Sequence, residues 1–365
     1  AFNFPIWGML EKFAPSFLAG MPCIVKPASA TSYLTEAVVR LMDESGLLPA
    51  GSLQLIIGGT GDLLDRLQGQ DVVTFTGSAD TAAKLRVNPN LIRNSVPFTA
   101  EADSLNCAIL APDVSPDDEE FELFIKEVAR EMTTKAGQKC TAIRRAIVPA
   151  KHIDAVATRL RERLAKVVVG DPSVEGVRMG ALASHDQQKD VAERLEALLH
   201  SSDLLFGARD GFEPRGENVD KGAFFAPTLL QARDPHAEGG AHDIEAFGPV
   251  STLMAYDDLD EALALAARGK GSLVATLVTA DRAVAAKAIP LAAAWHGRLL
   301  VLDREAALES TGHGSPLPKL KHGGPGRAGG GEELGGLRAL AFYHRRSAVQ
   351  ASSAALDALA ATGVP

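Results

Sequence analysis

Cys140 is the residue whose chemistry the sequence suggests first. It lies in the run Gly137-Gln138-Lys139-Cys140-Thr141, and Lys135, Arg144 and Arg145 flank this run. Nearby cations favour the thiolate, which is the nucleophilic form of cysteine. Cys140 is therefore a candidate nucleophile, although a free cysteine more often behaves as a small buried hydrophobe.

The other two cysteines show that second pattern. Cys23 in Met-Pro-Cys-Ile-Val and Cys107 in Asn-Cys-Ala-Ile-Leu both lie in short apolar runs that are typical of strands. We expect both to be buried and unreactive. An odd number of cysteines without a regular spacing indicates a reducing compartment, so we expect a cytoplasmic protein.

Composition restricts the class of protein. The chain has 365 residues, of which 46% are apolar and 23% charged, as in soluble globular proteins with two domains. A net charge of -9 argues against a nucleic acid partner. The sequence contains no apolar run of membrane-spanning length and no basic segment of a signal peptide, so no membrane partner is expected.

Strands and helices alternate through the first hundred residues. This βαβ pattern predicts a parallel, doubly wound sheet of the nucleotide-binding kind, with the turns that follow its strands gathered at one edge. The predicted strands span residues 23–26, 53–57, 72–75 and 97–101. The predicted helices span residues 7–19, 32–45 and 79–85, with a short helix ending near residue 68.

A second α/β unit is predicted after residue 104. Its strands are expected at residues 105–110, 145–148, 167–169, 226–230, 250–256 and 273–279. Its helices are expected at residues 119–133, 152–166, 186–200, 259–267 and 282–291. Residues 203–221 are predicted to be a loop or an irregular hairpin.

The end of the chain has a different character. Residues 312–336 contain ten glycines and three prolines, which exclude a single regular element and indicate a flexible linker or a fixed packing loop. Residues 337–350 are predicted to form a strand and residues 352–361 a helix. A strand so late in the chain suggests an arm that packs on another subunit.

Four further polar residues lie where ligands bind in such folds. Glu101 ends a predicted strand, Asn3 lies between two phenylalanines, Lys26 precedes a proline at a strand end, and Glu245 precedes the turn Ala-Phe-Gly-Pro. Each of them alone is more often an ordinary surface or turn residue. Together with Cys140 they suggest a base, an oxyanion donor and contacts to a nucleotide.

Six motifs carry a resemblance to a known family. In order along the chain they are Phe2-Asn3-Phe4-Pro5, Val25-Lys26-Pro27, Phe75-Thr76-Gly77-Ser78, Glu101, Gly137-Gln138-Lys139-Cys140 and Glu245-Ala246-Phe247-Gly248-Pro249-Val250. Their order and spacing resemble the aldehyde dehydrogenase superfamily over essentially the whole chain. The stretch after Glu101 and the glycine-rich segment resemble the branch that acts on CoA-thioester semialdehydes in aerobic breakdown of aromatic acids.

The resemblance implies an architecture. It implies a Rossmann-type cofactor domain over residues 1–104, a catalytic α/β domain over residues 105–336 with a glycine-rich loop at 312–336, and an oligomerisation arm over residues 337–365. Relatives place a further segment before Asn3. We therefore expect an N-terminally incomplete cofactor domain here, and a homodimer for a full-length protein.

The resemblance also implies a mechanism. Cys140 attacks the aldehyde, Asn3 and the Cys140 backbone N–H hold the oxyanion, hydride passes to the nicotinamide, and Glu101 activates the water that hydrolyses the thioacyl-enzyme. Glu245, with Phe247 beside it, is implied to hold the nicotinamide ribose. Ser78 is implied to contact the pyrophosphate. No metal is implied.

The residues near Lys26 indicate which cofactor is used. Lys26 is implied to contact the adenine ribose, and many NAD-preferring relatives carry a glutamate three residues later, where this chain has Ser29. A glutamate would repel a 2′-phosphate, whereas a hydroxyl tolerates one. We predict NADP as the cofactor, with NAD used at lower efficiency.

Several alternatives stay open at this stage. The resemblance favours the CoA-linked semialdehyde of benzoate breakdown, with that of phenylacetate breakdown as the alternative. Lys319, Lys321 and Arg327 are candidates for binding the CoA phosphates. A second hypothesis is that the chain is an inactive nucleotide-binding module. A cofactor-free cysteine hydrolase is a third and requires a histidine base, for which His152 and His185 are the candidates.

Overall fold

A computed structural model describes residues 1–207, 212–217, 219–317, 319–332 and 337–362. Within them the strands are β1 (Cys23–Val25), β2 (Leu53–Leu55), β3 (Val73–Thr76), β4 (Phe98–Glu101), β5 (Cys107–Leu110), β6 (Arg145–Pro149), β7 (Ser202–Phe206), β8 (Thr228–Ala232), β9 (Val250–Tyr256), β10 (Ser272–Val278) and β11 (His296–Leu302).

The α-helices of the described residues lie between and after these strands. They are α1 (Trp7–Leu18), α2 (Ser32–Glu44), α3 (Ala79–Arg86), α4 (Pro89–Arg93), α5 (Glu119–Thr133), α6 (Ile153–Leu164), α7 (His185–Leu199), α8 (Leu259–Ala267), α9 (Arg282–Ala292), α10 (Ala306–Glu309), α11 (Leu337–Tyr343) and α12 (Ser353–Ala361). None of the described helices is long and apolar enough to cross a membrane.

A seven-stranded sheet forms the centre of the molecule. Its strand order is β11-β10-β5-β6-β9-β8-β7, and all neighbours are parallel except β7 and β8. Every residue of β5, β6 and β10 is buried, because helices cover both faces of the sheet. The predicted α/β class with a mainly parallel sheet is confirmed.

The first hundred residues are less compactly organised than predicted. They form two separate two-stranded parallel sheets, β1 with β2 and β3 with β4, instead of one continuous sheet. The predicted strands and helices are present within a few residues of their expected positions. Because β4 ends at Glu101, this carboxylate lies at the carboxyl edge of its sheet, as predicted.

Helix α5 shows why apolar spacing predicted the bounds of some helices correctly. Its predicted and observed bounds coincide, since the first turn is acidic and Phe121, Phe124, Val128 and Met132 repeat at helical spacing on the buried face. The helix packs against α6, β5 and β10. It ends just before the segment that carries Cys140.

Three sequence predictions were wrong or incomplete. Residues 337–350 are not a strand, because Leu337–Tyr343 is helical and packs against α1 with Leu340 and Tyr343 half-buried at helical spacing. The segment 203–221, predicted to be a loop or an irregular hairpin, begins with part of strand β7, which pairs antiparallel with β8, while residues 208–211 and 218 lie outside the described residues. Residues 167–169 make only an isolated bridge from Val169 to Met179.

The prediction also missed β11, α4 and the short helix α10. Strand β11 pairs with β10 along the edge of the central sheet. The predicted arm at 337–365 has no strand in its described part, and residues 363–365 lie outside the described residues. The homodimer and the domain boundaries at 104 and 336 stay predictions.

Candidate active site

The segment before Cys140 has an unusual backbone. Lys135, Ala136 and Gly137 have φ angles of +54°, +52° and +69°, in the left-handed region that residues other than glycine rarely adopt. A side chain at Gly137 is excluded, because its Cβ would lie 2.1 Å from the carbonyl oxygen of Gly248. Such conformations persist only where the surrounding structure holds them, and they are frequent at functional sites.

Buried hydrogen bonds hold this segment in place. The Asn106 side-chain amide donates to the carbonyl oxygens of Cys140 and Ala142, at 2.7 and 3.1 Å. The Arg144 guanidinium donates to the carbonyl oxygens of Gly137 and Lys139. Cys140 is thus presented by a fixed loop at the end of α5.

Two of the four cations close to Cys140 in the sequence are engaged with other partners in the structure. Lys139 is buried and pairs with Glu131 at 2.7 Å, and Arg145 donates to the carbonyl oxygens of Leu105, Leu265 and Ala266. Both charges therefore have partners other than Cys140, which the sequence did not indicate. Lys135, Arg144 and Arg298 interact with Cys140. Burial lowers the pKa of each of these side chains, whereas a negative sulfur raises it.

Glu101 and Cys140 lie in the same cleft, together with a histidine that sequence reasoning missed. His322 Nε2 is 2.9 Å from Glu101 Oε2 and 3.9 Å from Cys140 Sγ. One side-chain atom from each of Glu101, Cys140 and His322 lies within 4.8 Å of the other two. The spacing would also admit a cation, but a nucleophile, a base and a proton-binding ring account for the cluster.

Charge and burial oppose each other at Glu101. Burial raises the pKa of this carboxyl group, but the His322 imidazolium beside it, with Lys12 and Cys140, outweighs burial and brings the pKa down to about 2. Burial likewise lowers the pKa of His322, and the Glu101 carboxylate reverses this effect, so that the pKa of His322 is raised overall.

The glycine-rich segment places His322 there. The N–H of Gly331 donates to the carbonyl oxygen of Ala100, and the N–H of Ala102 donates to that of Ala328. A Cβ on Gly329 or Gly331 would lie 2.4 or 2.5 Å from the Ala100 oxygen, so only glycine permits this approach. The described part of the segment is therefore a fixed packing loop, and Pro318 and residues 333–336 lie outside the described residues.

His152 and His185, the two histidines considered as bases, do not line this cleft. His185 is exposed at the start of α7, where it contacts Gln188 and the carbonyl oxygen of Lys221. The histidine that sequence reasoning missed is His322, the first residue of His-Gly-Gly-Pro-Gly. Nothing in its local sequence places it beside a residue 182 positions earlier.

The cleft has a volume of about 910 Å³ and holds six of the eight predicted site residues. These residues are Asn3, Ser78, Glu101, Cys140, Glu245 and Phe247. Lys26 and Ser29 are exposed and do not contribute to its walls, although their neighbour Ala28 does.

The walls of the cleft suit a dinucleotide. Ser78 caps α3 by accepting from the N–H of Thr81, so the start of this helix faces the cleft, where an anionic group would be stabilised. The Glu245 carboxylate accepts from the Ser104 N–H and from Arg144, both at 3.2 Å, and burial raises its pKa against the effect of Arg144. Phe247 packs edge-on against Phe2 with ring centroids 5.8 Å apart.

Two further observations concern predicted contacts. Lys135 contacts the backbone oxygen of Asn3 and lies 3.5 Å from the centre of the Phe4 ring, which fixes the Asn3 segment beside the nucleophile loop. Arg327 lines the cleft and pairs with Asp103 at 3.5 Å. Arg327 therefore already has an acidic partner within the cleft.

Comparisons with known proteins identify the family of this chain. The aldehyde dehydrogenase family model matches residues 1–298. A 3,4-dehydroadipyl-CoA semialdehyde dehydrogenase of Aromatoleum evansii is 46% identical over 89% of this chain, and the match covers 63% of that relative's length. The chain thus spans less than two thirds of this relative.

Solved structures show the same fold. An aldehyde dehydrogenase C variant of Pseudomonas syringae with NAD⁺ and octanal has a TM-score of 0.76 at 25% identity, covering 93% of this chain and 66% of that one. Betaine aldehyde dehydrogenase of Staphylococcus aureus with NAD⁺ has a TM-score of 0.79 at 24% identity, covering 92% and 63%. The chain described here belongs to the aldehyde dehydrogenase family.

Proposed function

We propose that this protein oxidises a CoA-linked semialdehyde, 3,4-dehydroadipyl-CoA semialdehyde, to the carboxylic acid in aerobic benzoate breakdown. The observation that carries the proposal is the meeting of Cys140, Glu101 and His322 in one cleft with Glu245 and Phe247. The 46% identical relative of that name supports the choice of substrate.

The residues of the cleft divide the chemistry between them. Cys140 attacks the aldehyde carbon and then holds the acyl group as a thioester. The side-chain amide of Asn3 and the backbone N–H of Cys140 donate to the oxyanion. Glu101 takes a proton from the water that releases the acid.

NADP is the proposed cofactor, with NAD used less efficiently. A nicotinamide, when bound, supplies the hydride acceptor. Glu245 is proposed to hold its ribose beside Phe247, Ser78 to contact the pyrophosphate, and Lys26 with Ser29 to bind the 2′-phosphate. Lys26 and Ser29 are exposed, so they are available to a ligand.

The cellular setting is part of the same proposal. We propose a cytoplasmic homodimer with a cofactor domain at residues 1–104 and a catalytic domain at residues 105–336. The semialdehyde of phenylacetate breakdown, 3-oxo-5,6-dehydrosuberyl-CoA semialdehyde, is the alternative substrate.

A cysteine hydrolase is a second candidate function, because His322 supplies the histidine that such an enzyme requires. Its Nε2 lies 3.9 Å from Cys140 Sγ and 2.9 Å from Glu101 Oε2, so this is the histidine placed beside the nucleophile. This function would cleave thioesters without a nicotinamide cofactor.

The test is the rate of NADP or NAD reduction with each CoA-linked semialdehyde and with a free aliphatic aldehyde. We expect turnover that prefers NADP and the CoA substrate and that is lost in Cys140→Ala. The Cys23→Ala variant is the control and should keep its activity. Thioester cleavage without cofactor would favour the hydrolase. Absence of aldehyde oxidation and of thioester cleavage in the unaltered protein would contradict both candidate functions.

A further inference from the structure

His322 stands between the nucleophile and the carboxylate. A single ring atom, Nε2, lies 2.9 Å from Glu101 Oε2 and 3.9 Å from Cys140 Sγ, and the His322 and Glu101 side chains are only 10% and 4% exposed. The second distance is within the range of a hydrogen bond that involves sulfur. Among the described residues, no other histidine lines the cleft.

The backbone around His322 is fixed by contacts outside the cleft. A Cβ on Gly297 of β11 would lie 1.7 Å from the Gly323 oxygen, and one on Gly324 would lie 2.2 Å from the Ser272 oxygen. The residues after His322 therefore pack directly on the backbones of β10 and β11. The imidazole is held in place independently of any ligand.

We propose that His322 accepts the thiol proton of Cys140, so that the nucleophile is held as a thiolate opposite an imidazolium before substrate binds. The S–H bond breaks, its electron pair stays on sulfur, and the proton forms an N–H bond at Nε2. The Glu101 carboxylate balances the charge of the imidazolium. This inference rests on the proposed role of Cys140 as the nucleophile and adds His322 to that site.

The charges around His322 favour this state. Glu101 at the end of β4 and Glu11 in α1 stabilise the imidazolium, whereas burial and Arg298 in β11 oppose it. The net effect raises the pKa of His322. Lys12 acts on the Glu101 carboxylate, and Cys140 faces the same ring nitrogen from the opposite side.

The test measures the thiol directly and requires no substrate. The rate constant for alkylation by iodoacetamide is followed between about pH 5 and pH 9 in the unaltered protein, His322→Ala and His322→Gln. Cys140→Ala supplies the background from Cys23 and Cys107. The control is His200→Ala, since His200 is exposed at the end of α7.

Removal of the imidazolium should make the thiolate harder to form. We expect His322→Ala to react about 10-fold more slowly near pH 6, with its profile moved up by about one pH unit. Free imidazole should restore the rate in His322→Ala but not in His322→Gln, where the cavity stays filled. His200→Ala should follow the unaltered protein.

Identical alkylation profiles for the unaltered protein and both His322 variants would overturn the proposal. Circular dichroism and urea unfolding identify a variant that does not fold, and His322→Gln, which keeps the side-chain volume, then decides the question. Absence of aldehyde oxidation in the unaltered protein would contradict the proposed function. The alkylation profile would still decide the role of His322.

Discussion

The strands of the central sheet and those of the first hundred residues differ in how deeply they are buried. Strands β5, β6 and β10 are buried along their whole length, whereas β1, β2 and β3 contain no fully buried residue. Ile24 of β1 is 46% exposed and Leu41 of α2 is 66% exposed. The two regions therefore differ in the packing that supports their functional residues.

The difference separates the proposed nucleophile from Lys26 and Ser29, the residues proposed to select the cofactor. Cys140 is presented by a loop fixed on the central sheet, and Lys26 stands exposed after β1. Glu101 ends a strand of the first region but is held by the glycine-rich loop of the second. The proposed nucleophile thus lies on the buried part of the molecule, and cofactor selection is proposed for the more exposed part.

The largest expected effect compares the proposed base, Glu101, with the proposed cofactor contact Lys26. Glu101→Gln should lower kcat about 10³-fold, because the water that releases the acid loses its base. It should keep a single burst of reduced cofactor, since the thioacyl-enzyme still forms. Lys26→Ala should instead raise KM for NADP about 10-fold with kcat almost unchanged, because it removes only binding. Stopped-flow kinetics measure the burst and steady-state kinetics measure kcat and KM of both variants. A lower kcat in Lys26→Ala with an unchanged kcat in Glu101→Gln would contradict these assigned roles.

The second prediction tests the packing itself. Ile147→Ala in β6 should lower the free energy of unfolding by about 4 kcal/mol, because it leaves a cavity in a fully buried site. Ile24→Ala in β1 should cost about 1 kcal/mol, since much of this side chain already contacts solvent. Urea unfolding measures the free energy of unfolding of both variants. Equal losses would show that the two regions are packed alike.

The third prediction concerns the contact between the regions. Gly329→Ala should cost about 3 kcal/mol and lower kcat, because its Cβ would lie 2.4 Å from the Ala100 oxygen next to Glu101. Gly330→Ala is the matched control, since Gly330 also has a positive φ but has no atom within 4 Å of its Cβ position. We expect it to cost only about 1 kcal/mol of backbone strain. Unfolding and turnover are measured together, and equal effects of the two variants would argue against this contact.

The smallest expected effect is a pH dependence that belongs to one region. Residues 1–104 contain no histidine, whereas His242 is buried beside Arg145. Burial and Arg145 lower the pKa of His242 to about 4. The unfolded chain binds this proton near pH 6.5, so stability falls as the pH decreases from about 6.5 to 4.

His242→Gln tests that dependence. The unaltered protein should lose on the order of 2 kcal/mol more than this variant between pH 7 and pH 4.5, measured by urea unfolding at both values. The His200→Gln variant is the control, because His200 is exposed at the end of α7. Equal losses in the unaltered protein and His242→Gln would contradict the assignment.

Local patterns predicted much of the fold. The bounds of α5 and α8 and most strands of the central sheet follow from apolar spacing and acidic first turns, which depend on residues a few positions apart. The Leu337–Tyr343 helix was missed because a short apolar run fits both the helical period and the strand period. Its packing on α1 decides between helix and strand. Strand β11 was missed for a similar reason, since it is completed only by its pairing with β10.

The sequence by itself determined the α/β class, the candidate nucleophile Cys140 and the carboxylate Glu101 at a strand end, because each follows from local motifs and their order. Only the tertiary structure decided that Lys139 pairs with Glu131 and that His322 reaches Cys140 across 182 positions. The physical reason is that side-chain partners depend on which backbones pack together. Close approach at Gly329 and Gly331 sets that packing, and no local pattern records it.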